Sequence, residues 1–152
     1  MWTFVTKPTS MLSQKAKYAL QALSYLTAHY EKGPVLISDI AVIKKIPIKF
    51  LENILLELKH ADILESFRGR SGGYALKVHP KTVKLSTIIR IVNGPIALLS
   101  CVSLNFYKPC ENCSEIDCKI NPVMAEARDA VLRILDKRTL LDIEDMEKTE
   151  TH

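Results

Sequence analysis

Apolar and polar positions follow two different periods along this chain, and the changes of period mark its elements. From Ser13 onward, Ala16, Ala19, Leu20, Leu23, Leu26 and Tyr30 recur every three or four residues, which puts them on one helical face. Gly33-Pro34 ends that helix. Val35-Leu36-Ile37 is long enough only for an edge strand, and Ser38 offers an N-cap to a short helix through about Lys44, built on Ile40, Ala41 and Ile43. Lys45-Ile46-Pro47 reads as a turn, with Pro47 at the first position of the next helix, where its missing N–H costs nothing. That helix, residues 47–61, buries Leu51, Ile54, Leu55 and Leu58. The period then shortens towards two: Ile63–Phe67 and Tyr74–Val78 read as short strands, and Gly69, Gly72 and Gly73 between them can take positive φ and reverse the chain.

Past Pro80 the helical period returns over Leu85–Val92, with Ile88, Ile89 and Val92 apolar, until Asn93-Gly94-Pro95 stops it. No period holds from Ile96 to Asn121. Asn121 then caps a helix opened by Pro122, with Met124, Ala127, Val131, Ile134 and Leu135 on one stripe, and Thr139 caps a last short helix through about Met146. The pattern therefore predicts a mainly α fold with a small β-hairpin. Residues 1–10 form a disordered lead, or precede a native start at Met11. Residues 11–84 form a winged helix-turn-helix domain for DNA, residues 85–147 a cysteine loop with dimerisation helices, and residues 148–152 a frayed tail.

Composition adds little until the charge is located. The chain has 152 residues, 47% of them hydrophobic and 25% charged, with a net charge of +4. From Lys44 to Lys81 there are eight Lys/Arg against four Asp/Glu, whereas Thr139 to His152 carries one Lys against five acids. A basic middle and an acidic end suit a protein that meets a polyanion with one part only. The wing tip holds Arg68 and Arg70 where no core can receive them, with Ser71, Gly72 and Tyr74 beside them, a set placed to lie along a nucleic-acid backbone. On the 47–61 helix, Lys49, Glu52 and Asn53 occupy the outer face of the N-terminal half, the part that enters a major groove, and Glu52 can accept from a cytosine amino group. The 122–137 helix has little left to pack on in so small a domain, so its stripe is expected to meet the first helix or the same helix of a second copy. No apolar run approaches a membrane span, and the expectation is a cytoplasmic protein.

All four cysteines lie in the aperiodic stretch. Cys110, Cys113 and Cys118 form C-x2-C-x4-C, and Cys101 precedes them. Irregular backbone can aim several thiolates at one soft metal, and both tetrahedral zinc and an iron–sulfur cluster accept four of them. The bland alternative is thiols without metal, open to oxidation. The histidines, His29, His60, His79 and His152, fall in no motif, and neither a phosphate-binding glycine loop nor a Ser/His/Asp grouping is present, so the reading is a non-enzyme with no small-molecule substrate.

With these residues in view, the chain resembles a family. Leu12-Ser13-Gln14-Lys15-Ala16-Lys17-Tyr18-Ala19-Leu20 is similar to the opening helix of the IscR/NsrR-type (Rrf-two) bacterial transcription factors, and Phe50-Leu51-Glu52 to their recognition helix. Phe67-Arg68-Gly69-Arg70-Ser71-Gly72-Gly73-Tyr74 resembles their wing, and Asn93-Gly94-Pro95 before a cysteine loop and a long final helix fits as well. The resemblance covers residues 11 to about 147. It implies a homodimer on a two-half-site DNA operator and, in many members, a [2Fe–2S] or [4Fe–4S] cluster that senses iron–sulfur status, nitric oxide or redox state and can be lost on purification. Arg68 matches the wing arginine, Glu52 the base-discriminating acid and Cys118 the last cluster cysteine. Cys110 and Cys113 depart from the usual C-x5-C-x5-C spacing, and Cys101 can take the first ligand role, as in the nitric-oxide-sensing branch. Asn121 stands where one branch has a histidine ligand, and Lys17 where another has an aspartate. The preferred ligand set is therefore Cys101, Cys110, Cys113 and Cys118. The rivals are a metal-free regulator of the same family, answering to cysteine oxidation or a partner protein, and a small zinc-binding interaction module.

Overall fold

The computed structural model describes residues 11–111, 113–114 and 116–149; of residues 147–149 it describes the backbone alone. The expected lead, residues 1–10, and the last three residues of the expected tail lie outside the described residues. Ser13 caps α1 (Gln14–Ala28), its hydroxyl accepting from the Ala16 N–H. α1 ends five residues before Gly33, and a turn through Glu31, at φ 62°, carries the chain on while Tyr30 still packs on the core. α2 (Ile37–Lys44) begins at Leu36 with no side-chain cap, so Ser38 is its second residue and not its cap. Lys45 then turns left-handed at φ 53°, and Pro47 is the flanking residue of α3 (Ile48–His60). Leu51, Ile54, Leu55 and Leu58 of α3 are fully buried, as their spacing predicts.

β1 (Leu64–Phe67) and β2 (Gly73–Leu76) pair antiparallel, with Leu64 opposite Leu76 and Phe67 opposite Gly73. Val35 adds one bridge to Tyr74, N–H to carbonyl both ways at 2.8 and 2.9 Å, which is all that the expected edge strand amounts to. A single turn of 3-10 helix over Pro80–Thr82, not foreseen from the sequence, leads to α4 (Leu85–Val92). The described residues between 93 and 120 are irregular apart from a 3-10 turn at Ser100–Val102.

α5 (Asn121–Leu135) opens with Ile120 as its flanking residue, so Asn121 is the first helical residue and does not cap. The expected stripe also divides. Val131 and Ile134 face outward, whereas Met124, Ala127 and Leu135 are half-buried; outside that stripe Val123 is exposed and Leu132 is buried. α6 (Leu140–Thr149) runs past the expected end at Met146, so Lys148 and Thr149 belong to the helix. It packs back on α1, and its Leu140 joins Ile88, Val92, Leu23 and Leu55 in one hydrophobic cluster. The elements on either side of residue 84 therefore share a single core.

Candidate nucleic-acid interface

α2, the turn at Lys45–Pro47 and α3 form a helix-turn-helix, and the hairpin follows α3 directly. Burial of Leu51, Ile54, Leu55 and Leu58 fixes the rotation of α3 and leaves Lys49, Glu52 and Asn53 exposed on its outer side. Two contacts hold α3 on α1: the Lys15 ammonium meets the Glu57 carboxylate at 2.5 Å, and the Tyr18 and Phe50 rings meet edge to face at 5.7 Å.

The hairpin is fastened at its root and open at its tip. Lys59 donates to the Ser66 hydroxyl at 2.6 Å, tying the end of α3 to β1. Lys77 meets Asp62 at 2.6 Å, and this hydrogen bond, reinforced by the opposite charge, holds Asp62 below and Lys77 above their ordinary values. Gly69 (φ 101°) and Gly73 (φ 135°) take the left-handed backbone expected of them, but Gly72 does not. Gly72 is needed for a different reason: a Cβ there would stand 2.3 Å from the Phe67 carbonyl oxygen. Gly73 is held more tightly still, since its Cβ would stand 2.1 Å from the Val35 carbonyl oxygen.

Arg68, Arg70 and Ser71 are exposed around this turn, whereas Gly72 is buried and Tyr74 sits half-buried at the root, its backbone paired with Val35 and its ring on the core. The structure therefore separates the wing set into a cationic tip and a structural root. Among the described residues, the side chains of Lys49, Glu52, Asn53, Arg68 and Arg70 have no intramolecular ion pair or hydrogen bond, so three cations stand ready for an external anion.

The cysteines do not gather as a set of four. The Cys101 thiol, half-buried in the 3-10 turn, accepts from the Asn121 side-chain amide at 3.8 Å, and that turn is pinned to α5 by Arg128, which donates to the Val102 carbonyl at 2.5 Å. Cys113, exposed like Cys110, interacts instead with Cys110 and with half-buried Cys118. Its thiol is pushed up to about 12, first by its hydrogen bond with Cys110, then by desolvation and by the neighbouring charges of Cys110 and Cys118. No disulfide joins the four, and among the described residues no group of three or more His, Cys, Asp or Glu side chains is arranged to hold a metal ion. The Cys101–Asn121 contact escaped the sequence reading, which spent Asn121 on a cap.

A match to the Rrf2 family, described as iron-dependent transcriptional regulators, runs over residues 12–145. The chain belongs to this family. An rrf2-like helix-turn-helix regulator of Rhodobacter capsulatus is 42% identical over 137 residues, 88% of this chain and 91% of that one. The regulator NsrR of Geobacillus kaustophilus is 31% identical over 132 residues, 87% of this chain and 88% of its own. Among solved structures, CymR, the global cysteine regulator of Bacillus subtilis, superposes with a TM-score of 0.73 at 28% identity, covering 88% of this chain and 95% of that one. This Rrf2 member is thus a DNA-binding winged-helix transcriptional regulator and not an enzyme. No described helix is long and apolar enough to cross a membrane.

Proposed function

We propose that this Rrf2 member is a homodimeric, sequence-specific regulator that reads a two-half-site operator and answers to iron–sulfur status, nitric oxide or redox state through its cysteine loop. The observation that carries the DNA reading is the set of unpartnered side chains on α3 and the wing tip, Lys49, Glu52, Asn53, Arg68 and Arg70, held on elements whose other faces are fixed by the core. In this reading Lys49, Glu52 and Asn53 address base edges or nearby phosphates, and Arg68, Arg70 and Ser71 address the backbone.

For the sensor, Cys110, Cys113 and Cys118 are the candidate thiolate donors, because Cys113 interacts with both of the others, and the loop has to rearrange before the three can hold a metal. Cys101 is the candidate fourth ligand and must leave Asn121 to join them. An iron–sulfur cluster, when bound, supplies a centre reactive towards oxidants and nitric oxide. The chain's own part is mechanical. The cysteine loop runs between α4 and α5, so ordering it alters how α5 sits and hence how two copies space their α3 helices. Coupling of this kind is worth about 1–3 kcal/mol, or about 5–150-fold in operator affinity.

The test is anaerobic purification with an absorption spectrum and iron, sulfide and zinc assays, followed by operator titration with and without the cluster. Coloured protein with matching iron and sulfide, and an affinity that changes on cluster removal, supports the reading. Unchanged affinity sinks the switch even where the cluster is real. The proximity of Cys110, Cys113 and Cys118 favours one second reading, in which two thiols surrender two electrons and two protons to a peroxide and close a disulfide. That reading predicts colourless protein whose DNA binding changes with peroxide and returns with dithiothreitol.

A further inference from the structure

α3 buries four apolar side chains but leaves three others exposed: Ile48 at 45%, Leu56 at 44% and Phe50 at 43%, the last with its ring edge to face against Tyr18 of α1. Ile48 is the first residue of α3. Four-residue spacing puts it on one line with Glu52, a turn apart. Its neighbours on that outer surface are Lys49, Glu52 and Asn53, all polar, exposed and without intramolecular partners among the described residues. Phe50, the other exposed apolar side chain of this first turn, is held against Tyr18 of α1, so the residues beside Ile48 that have no partner are the polar ones. The N-terminus of the second helix of a helix-turn-helix is also the part that faces base edges. In the major groove, the feature that an aliphatic side chain can recognise is the 5-methyl group of thymine. Ile48 is prepared for this, since Pro47 fixes the entry of the helix and β-branching restricts χ1 to few rotamers.

We infer that Ile48 is a specificity-determining residue of the operator interface, set against the methyl group of a thymine close to the cytosine that Glu52 reads. The inference rests on the proposed entry of α3 into the major groove. It also fixes a distance. Side chains one helical turn apart stand about 5–6 Å apart, and base pairs rise about 3.4 Å per strand, so the thymine lies within about two base pairs of that cytosine.

The experiment uses the full chain and an operator duplex recovered by in vitro selection from random DNA. Each thymine is replaced in turn by deoxyuridine, which removes the 5-methyl group and nothing else, and affinity is measured by fluorescence anisotropy. One thymine per half-site, within two base pairs of a Glu52-dependent cytosine, should weaken wild-type binding about fourfold, the loss expected for about one buried methylene equivalent. Ile48→Ala should bind the parent operator more weakly by a similar factor and be indifferent to that deoxyuridine. Leu56→Ala, altered one turn beyond Glu52, should keep the full penalty. The inference is overturned if no deoxyuridine position matters to the wild type, if the penalty survives in Ile48→Ala, or if it disappears in Leu56→Ala. The wild-type scan needs no folded variant. Failure to recover any operator would remove the DNA reading itself, a result distinct from a flat scan on an operator that binds.

Discussion

Arg68 sits at the tip of a hairpin whose root is fully engaged, so its guanidinium can be removed with little disturbance to the fold. Arg68→Ala should weaken operator binding and lower the slope of log affinity against log salt by about 0.9, the share of one phosphate contact on duplex DNA. Titrations at several salt concentrations read this directly, and an unaltered slope would make Arg68 a bystander. The glycines around it are not equivalent. At Gly73 a Cβ would collide with the Val35 backbone, whereas at Gly69 nothing lies within 4 Å and only the φ of 101° resists substitution. Gly73→Ala should therefore cost about 1–3 kcal/mol in chemical denaturation and Gly69→Ala distinctly less. Three glycines in nine residues announced a tight reversal, but not which of them faces the Val35 backbone. That contact joins residues 35 and 73, and no local pattern encodes it.

The helices were legible wherever their apolar spacing met a core. α4 spans Leu85–Val92 as predicted, and α3 buries the four residues that its period selects. Capping was harder to read, because a polar side chain near a helix start has more than one use. Asn121 turns to the Cys101 thiol, and Ser38 lies inside α2 because the helix starts one residue before it. Thr139, expected to cap α6 with its side chain, has its hydroxyl donating instead, and it is Asp142 that reaches back to it. The Asp142 carboxylate accepts from both the Thr139 N–H at 2.7 Å and its hydroxyl at 2.9 Å. The backbone hydrogen bond comes first, and together these lower the Asp142 pKa from the ordinary 3.8. A depressed carboxylate stabilises the fold above its unfolded-state value and loses that contribution as the pH falls through the folded one. The melting-temperature gap between wild type and Asp142→Ala should then be widest near neutrality and close as the pH drops below about 3.8. A gap independent of pH would mean that the ion contributes nothing beyond the cap's shape.

The described residues of one monomer leave a face uncovered. Val123, Val131 and Ile134 stand out from α5, and beside them a groove of about 550 Å³ opens between α5, Met11, Ile89 and Pro95. The sequence leads one to expect an interface on α5 but draws its stripe from both exposed and half-buried positions, since a helix that packs on its own domain along one side can carry an apolar band too wide to divide by period alone. Ile134 is 62% exposed, so a charge there should be tolerated by the monomer and not by an α5-mediated dimer. Ile134→Glu should sediment as a monomer with an unchanged circular dichroism spectrum. Joining two half-site contacts in one molecule typically multiplies affinity by about 10²–10⁴, so on a two-half-site operator the variant should lose on the order of a hundredfold or more. On an isolated half-site it should match the wild type, because α3 and the wing are untouched. A variant that remains dimeric and keeps full operator affinity would move the interface away from this face. The route from the cysteine loop to DNA would then have to pass through α4 and the shared core, and not through the spacing of two copies.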